Sequence, residues 1–388
     1  MSHTPAGTAE YTDERLNIFL ERLLTTAEQT VFPQIDLALP ENAQYDQSRL
    51  LELLAYCSIH GEFVNDGAKT RAVTNGEATT LRTDRRCPIA RVFGHHLRKL
   101  DRDEIAGQFQ TVRDEVCRLA TRARLFTTPV TLAIDIHDWL YYGDKETDMV
   151  ANTNPARGTD KAFKFVTACV VTEDLRFTVA VQPLATKREK ADAVEGVLQQ
   201  ARKWIDIRCV YLDRGFYTVE VVQTLESQEI DFVMRAPTFP SLVREEPTVQ
   251  VEMGYEMSGS HPPYDTVSVT RFTVPHTGAP EEKQTYFITN RTVTEAAAEG
   301  TAEAYCRRWG IETSYRVIGD FLARSRSTVY SVRLFYFLFA VTLYNLWVLI
   351  NRLLVELFGR LTERPLVSAK VFGRLVRQRW MPDRLQPG

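Results

Sequence analysis

Residues 190–213, KADAVEGVLQQARKWIDIRCVYLD, decide the fold class. KADAVEGVLQQARKW has helical periodicity, and IRCVYL is an apolar strand that runs straight into Asp213. Upstream, PVTLAIDIHDWLYYG (129–143) carries a short run of strand formers, Thr131 to Ile134, followed by acids. FKFVTACVVT and LRFTVAVQPL give two more strands, with an Asp174-centred turn between them. The order is three strands, a helix, and a strand that delivers an acid at its C-terminal end. That is an α/β pattern, and open α/β sheets place their sites at this edge.

The flanks read differently. Residues 1–125 are helical, with Leu16, Phe19, Leu20, Leu23 and Leu24 on one stripe after a Thr12 cap. RLLELLAYCSIHG stops on Gly61, and a loop is expected over 62–86. Between 236 and 300, VQVEMGYEM, TVSVTRFTV and TYFITN are alternating runs broken by Gly, Pro and Ser, a β-rich insertion. The expected division is a helical domain 1–125, an α/β domain 126–350 and a basic tail 351–388.

With 388 residues and 44% hydrophobic content, the chain can bury more than one core. Six cysteines stand without a CxxC pair, which fits reduced thiols in a cytoplasm. The net charge of −3 conceals asymmetry. Residues 1–80 hold 12 acidic and 5 basic side chains, 81–124 hold 11 basic and 6 acidic, and 352–388 hold 8 basic and 3 acidic. The basic parts suit either an anionic partner or solvated helix faces. LFYFLFAVTLYNLWVLIN (334–351) approaches spanning length, but Thr342, Tyr344 and Asn345 interrupt it, so a buried core helix and no membrane are expected. GxGxxG, GKS/T and GxSxG patterns are absent, which removes support for nucleotide-hydrolysing and serine-hydrolase readings.

YCRRWGIETSYRVIGDF (305–321) places Tyr305, Arg308, Glu312 and Arg316 on one helix face. The bland reading is a surface ion pair between Arg308 and Glu312. Asp135 at the end of the first strand and Asp213 at the end of the fourth offer another. If those strands are neighbours, the two acids converge and Glu312 can close the set. Three carboxylates at one point need a cation, and hard oxygen ligands suit Mg²⁺ or Mn²⁺. A two-ion site of this kind cleaves phosphodiesters. Arg and aromatic neighbours would then serve phosphates and bases. A competing site would use His137 with Asp138, while His95 and His96 read as surface or capping residues. Arg214 suits a phosphate contact or a structural ion pair, and Lys161 and Lys164 are further candidates for DNA contact.

The segment YCRRWGIETSYR resembles the Tyr-x₂-Arg-x₃-Glu-x₆-Lys signature of DDE transposases of the insertion-sequence-four type. Tyr305, Arg308 and Glu312 match in type and spacing; the Lys position falls on Gly319, with Arg316 nearby on the same face as a stand-in. LAIDIHDWLYYGD and YLDRGFYTVEVVQTLES resemble the two aspartate segments, and NTNPARGTDKAFKFVT resembles the archaeal insertion-sequence branch. The resemblance implies an RNase H-like core with the β-rich insertion lying between Asp213 and Glu312. It implies Asp135, Asp213 and Glu312 as catalytic metal ligands for two ions, with DNA contacts from Tyr305, Arg308, Trp309, Arg316 and Arg214. Partners would be terminal inverted repeats and target DNA, bound by a homodimer. A nuclease or resolvase without strand joining, and a DNA-binding relic, remain as alternatives.

Overall fold

The computed structural model describes residues 18, 21–74, 90–173, 175–186, 189–259, 265–275, 284–358 and 365–380. Thr12, Leu16, Phe19, Leu20, Cys87 and Asp174 lie outside them. The chain folds as two compact units, 126–315, and 1–125 together with 316–388.

Unit 126–315 is built on one mixed sheet of nine strands: β1 Val130–Tyr141, β2 Val150–Ala156, β3 Thr159–Val171, β4 Arg176–Leu184, β5 Ile207–Leu212, β6 Phe232–Arg235, β7 Gln250–Ser258, β8 Thr266–Pro275 and β9 Gln284–Thr289. The order is β2-β3-β1-β5-β6-β9-β8-β7, and β4 pairs with β3 beside β2. β1 runs antiparallel to β3 and parallel to β5, and β5 is parallel to β6. Cys209 to Leu212 are all buried, as a central parallel strand covered on both faces should be. The insertion strands β9, β8 and β7 are no separate module, because β9 pairs antiparallel with β6 and extends the same sheet.

β1 continues past Asp135 for six more residues, so this acid is mid-strand instead of terminal. β2 is not among the strands expected from the sequence; it forms a hairpin with β3 through Arg157 and Gly158, both at positive φ (49° and 86°). That two-residue geometry matches the right-handed twist of its strands. Four helices accompany this region: α5 Lys190–Arg202, α6 Val219–Ser227, α7 Glu295–Tyr305 and α8 Trp309–Asp320. The insertion therefore ends before α7 begins, short of residue 300.

In the other unit, α1 Gln47–His60 starts on Asp46, whose side chain accepts from Arg49 N at 2.8 Å, and stops on Gly61 at φ 58°. α2 Val64–Thr74 occupies much of the expected loop. α3 Ala90–Leu97 follows, then α4 Arg102–Arg122, which opens with an Asp101–Glu104 capping box. His96 in α3 is buried instead of lying at the surface. α9 Tyr330–Phe358 packs on these helices, with Phe335 edge-on to Phe109 at 5.0 Å and to Phe93 at 6.1 Å. Its span Tyr330–Val355 is long and apolar enough to cross a membrane, yet 83% of its apolar window is buried within the protein. Leu23 and Leu24 join this core.

The expected boundary at 350 and free tail are not observed. α9 runs through to Phe358, and α10 Ala369–Trp380 docks back. Asn351 brackets Val367, accepting from its N–H at 2.8 Å and donating to its carbonyl at 3.1 Å. Phe372 meets Phe321 at 5.8 Å.

Candidate active site

The register positions the acids. The last parallel pair between β1 and β5 is Ile134 with Leu212, so Asp135 and Asp213 follow side by side. β1 stays paired with β3 beyond that point, and Asp135 sits opposite Thr167. Thr167 Oγ1 is 2.7 Å from the Tyr315 hydroxyl, and the Tyr315 ring lies 4.8 Å from His137. Ile311, Ser314 and Tyr315 form the inner face of α8, which fastens that helix over β1 and β3. Glu312 is thereby held near Asp135.

The expected continuous helix over 305–321 is broken. α7 ends at Tyr305, Cys306–Arg308 form a 3₁₀ turn, and α8 begins at Trp309. The tighter turn directs Arg308 inward, where its side chain is 6% exposed. Its Nη1 is 3.4 Å from Asp135 Oδ2; its Nη2 is 4.0 Å from Asp213 Oδ1 and 3.0 Å from Glu312 Oε1. Arg308 therefore lies among the acids, not on a DNA-facing surface.

Tyr305 is also displaced from the expected role. It is buried, its hydroxyl donates to Leu212 O at 2.9 Å, and its ring meets Phe287 at 5.1 Å and Tyr211 at 5.7 Å. It braces the residue before Asp213 and presents no surface to a nucleic acid. Trp309 (58% exposed), Arg316 and Arg214 do face solvent. Gly319 has open space where a Cβ would be.

Burial drives the Asp135 carboxyl up to about 7; Arg308 and the Ile136 N–H oppose this, and Asp213 and Glu312 reinforce it. Burial also works against the Arg308 charge, but Tyr305 and the three carboxylates outweigh it and hold that group above its ordinary value. His137 is pushed down to about 4 by burial. Asp138 lies on the opposite face of β1, where Lys164 Nζ reaches both its oxygens at 2.8 and 2.9 Å. His137 and Asp138 thus form no joint site. Lys164 is paired with Asp138, and Lys161 donates to the Gly143 carbonyl.

Two positioning contacts escaped the sequence pattern. One is the anchoring of α8 by Tyr315, although its spacing three residues after Glu312 was available as a signal. The other is Gly310: a Cβ there would stand 2.1 Å from Arg176 Nε. Arg176 Nη1 is held by the carbonyls of Thr172 and Glu173 at 2.6 and 3.1 Å.

The donor chemistry fits a hard divalent cation, since all three acids offer carboxylate oxygens. Among the described residues, however, no three acid, His or Cys side chains stand close enough to hold one ion as arranged. The Arg308 guanidinium fills the centre instead.

The family model of the transposase DDE domain matches residues 127–346. The chain belongs to that family. Members of the DDE family generally use divalent metal ions. Among solved structures, this DDE-domain chain is similar to the piggyBac transposase in its synaptic complex with hairpin DNA. The two are 14% identical with a TM-score of 0.56, covering 98% of this chain and 84% of that one. The likeness concerns the fold. No curated protein matches the chain significantly.

Proposed function

We propose that this DDE transposase cleaves the ends of an insertion sequence and joins them to target DNA. Asp135, Asp213 and Glu312 would be the catalytic metal ligands, holding Mg²⁺ or Mn²⁺, two ions in all. The observation that carries this reading is the convergence of these three carboxylates on one guanidinium, from two adjacent strand positions and one helix. The strand order β4-β3-β1-β5-β6, antiparallel and then parallel, supports an RNase H-like core. The Tyr305–Arg308–Glu312 spacing supports the insertion-sequence-four type, and the likeness of NTNPARGTDKAFKFVT supports its archaeal branch.

Bound divalent ions supply water activation and charge neutralisation at the scissile phosphodiester. Tyr305 holds the end of β5, and hence Asp213, in place. Trp309, with its exposed ring, is suited to stacking on an unpaired base, and Arg214 and Arg316 to phosphate. Hydrolysis at the element end frees a 3′-hydroxyl, which then attacks a target phosphodiester and releases one 3′-hydroxyl from the target. Two ends must be joined, so a homodimer is the expected active form.

Purified protein with labelled end DNA, a target plasmid and Mn²⁺ tests this reading. End cleavage followed by joined product is expected. Cleavage without joining would make the protein a nuclease or resolvase; end binding without cleavage would make it a DNA-binding relic.

A further inference from the structure

A strong arginine–carboxylate pair directs two nitrogens at one partner. Unit 126–315 contains such a pair: Arg271 gives Nε and Nη2 to Glu252 Oε2 at 2.8 and 2.6 Å, and its guanidinium lies 4.0 Å from the Tyr255 ring. Arg308 is held quite differently. Its guanidinium is divided among three acids at 3.0, 3.4 and 4.0 Å, and its buried Nε has no hydrogen-bond partner. A group close to Glu312 at 3.0 Å but standing also between two further acids at 3.4 and 4.0 Å is a shared, central counter-ion.

We propose that Arg308 is a placeholder cation. It occupies the space between Asp135, Asp213 and Glu312 in the metal-free protein, keeps the carboxylates converged, and must leave that space for divalent ions to enter. The inference rests on the reading of these acids as metal ligands. Without a cation, three carboxylates at one point repel, most severely where solvent is excluded. The oxygens turned toward the guanidinium are those an ion would require, so the two occupants exclude each other. The acids also differ in freedom. Asp135 is 16% exposed and its Oδ1 accepts from Ile136 N at 2.8 Å, whereas Asp213 and Glu312 are 39% and 58% exposed. Asp135 is the fixed member, and the other two can swing from guanidinium to ion.

The test uses the full chain without DNA and needs no turnover. Mn²⁺ binding is titrated by electron paramagnetic resonance, and melting is followed with and without Mn²⁺. Wild type is compared with Arg308→Met, Arg308→Lys and Asp213→Asn. Removing the competing charge in Arg308→Met should tighten Mn²⁺ binding about tenfold or more. It should also lower the metal-free melting temperature and enlarge the rise on adding Mn²⁺. Arg308→Lys, which reaches fewer acids, should fall between. Equal or weaker Mn²⁺ binding by a folded Arg308→Met protein overturns the placeholder role. If that variant folds only with Mn²⁺, the role is supported; if it folds under neither condition, wild-type affinity in Arg308→Lys overturns it. Unchanged binding in Asp213→Asn would defeat the metal-ligand reading itself. Loss of binding there with unchanged affinity in Arg308→Met would defeat the placeholder alone.

Discussion

Tyr305 shows how a residue can be read correctly as part of a motif and still be misplaced. Its spacing to Arg308 and Glu312 was visible in the sequence, and an aromatic beside arginines suggested nucleic acid. Burial decides otherwise: its hydroxyl is spent on the Leu212 carbonyl, one residue before Asp213. Tyr305→Phe should cost about 1 kcal/mol of stability, the worth of one such bond. End cleavage should slow while affinity for end DNA stays unchanged, because the hydroxyl positions an acid and touches no DNA. Denaturant titration, cleavage rates and a gel-shift assay check the three parts; weakened end binding would restore Tyr305 to the DNA interface. Lys164 teaches the same lesson. The sequence offered it as a candidate for DNA contact, but cross-strand register places it opposite Asp138, and no local pattern reveals register.

At the scale of elements, the helix around Glu312 was legible and its break was not. A 3₁₀ turn leaves no signature in hydrophobic spacing, since Tyr305 and Trp309 keep helical dihedrals on either side of it. Gly310 lies just beyond the turn and lets Arg176 pass. Gly310→Ala should destabilise the protein by about 1–3 kcal/mol through overpacking. Arg176→Ala should recover part of that loss in the double variant, as chemical denaturation would show; additive losses would mean that the contact does not matter. Gly319 is the opposite case, with open space at the end of α8. Gly319→Lys should stabilise by about 0.5–1 kcal/mol, through higher helix propensity and a cation near the helix C-terminus. A fall in melting temperature would contradict that placement.

For the whole molecule, the α/β order and the delivery of Asp213 at the end of β5 followed from local patterns, whereas Asp135 lies mid-strand. What periodicity could not supply was long-range pairing: β9 extends the same sheet from β6, and residues 316–388 join the unit of residues 1–125. A basic composition made the segment after 351 read as a tail, whereas Asn351 seals it to α9 through Val367. Asn351→Leu leaves the Val367 N–H unpaired, while the carbonyl keeps its bond from Trp347 Nε1 at 2.8 Å, and should cost about 1–3 kcal/mol. Hydrogen exchange should then accelerate in α10 before the sheet of unit 126–315 responds; uniform acceleration would contradict the two-unit account.

The central claim is that Asp135, Asp213 and Glu312 act as one catalytic set, and it is tested most directly by excision of a marker flanked by the gene's own neighbouring DNA. Wild type would be compared with Asp135→Asn, Asp213→Asn, Glu312→Gln and, as an exposed acid outside the set, Asp144→Asn. The account predicts excision by wild type and Asp144→Asn, and none by the other three folded variants. Excision at the wild-type level by any of those three would contradict it.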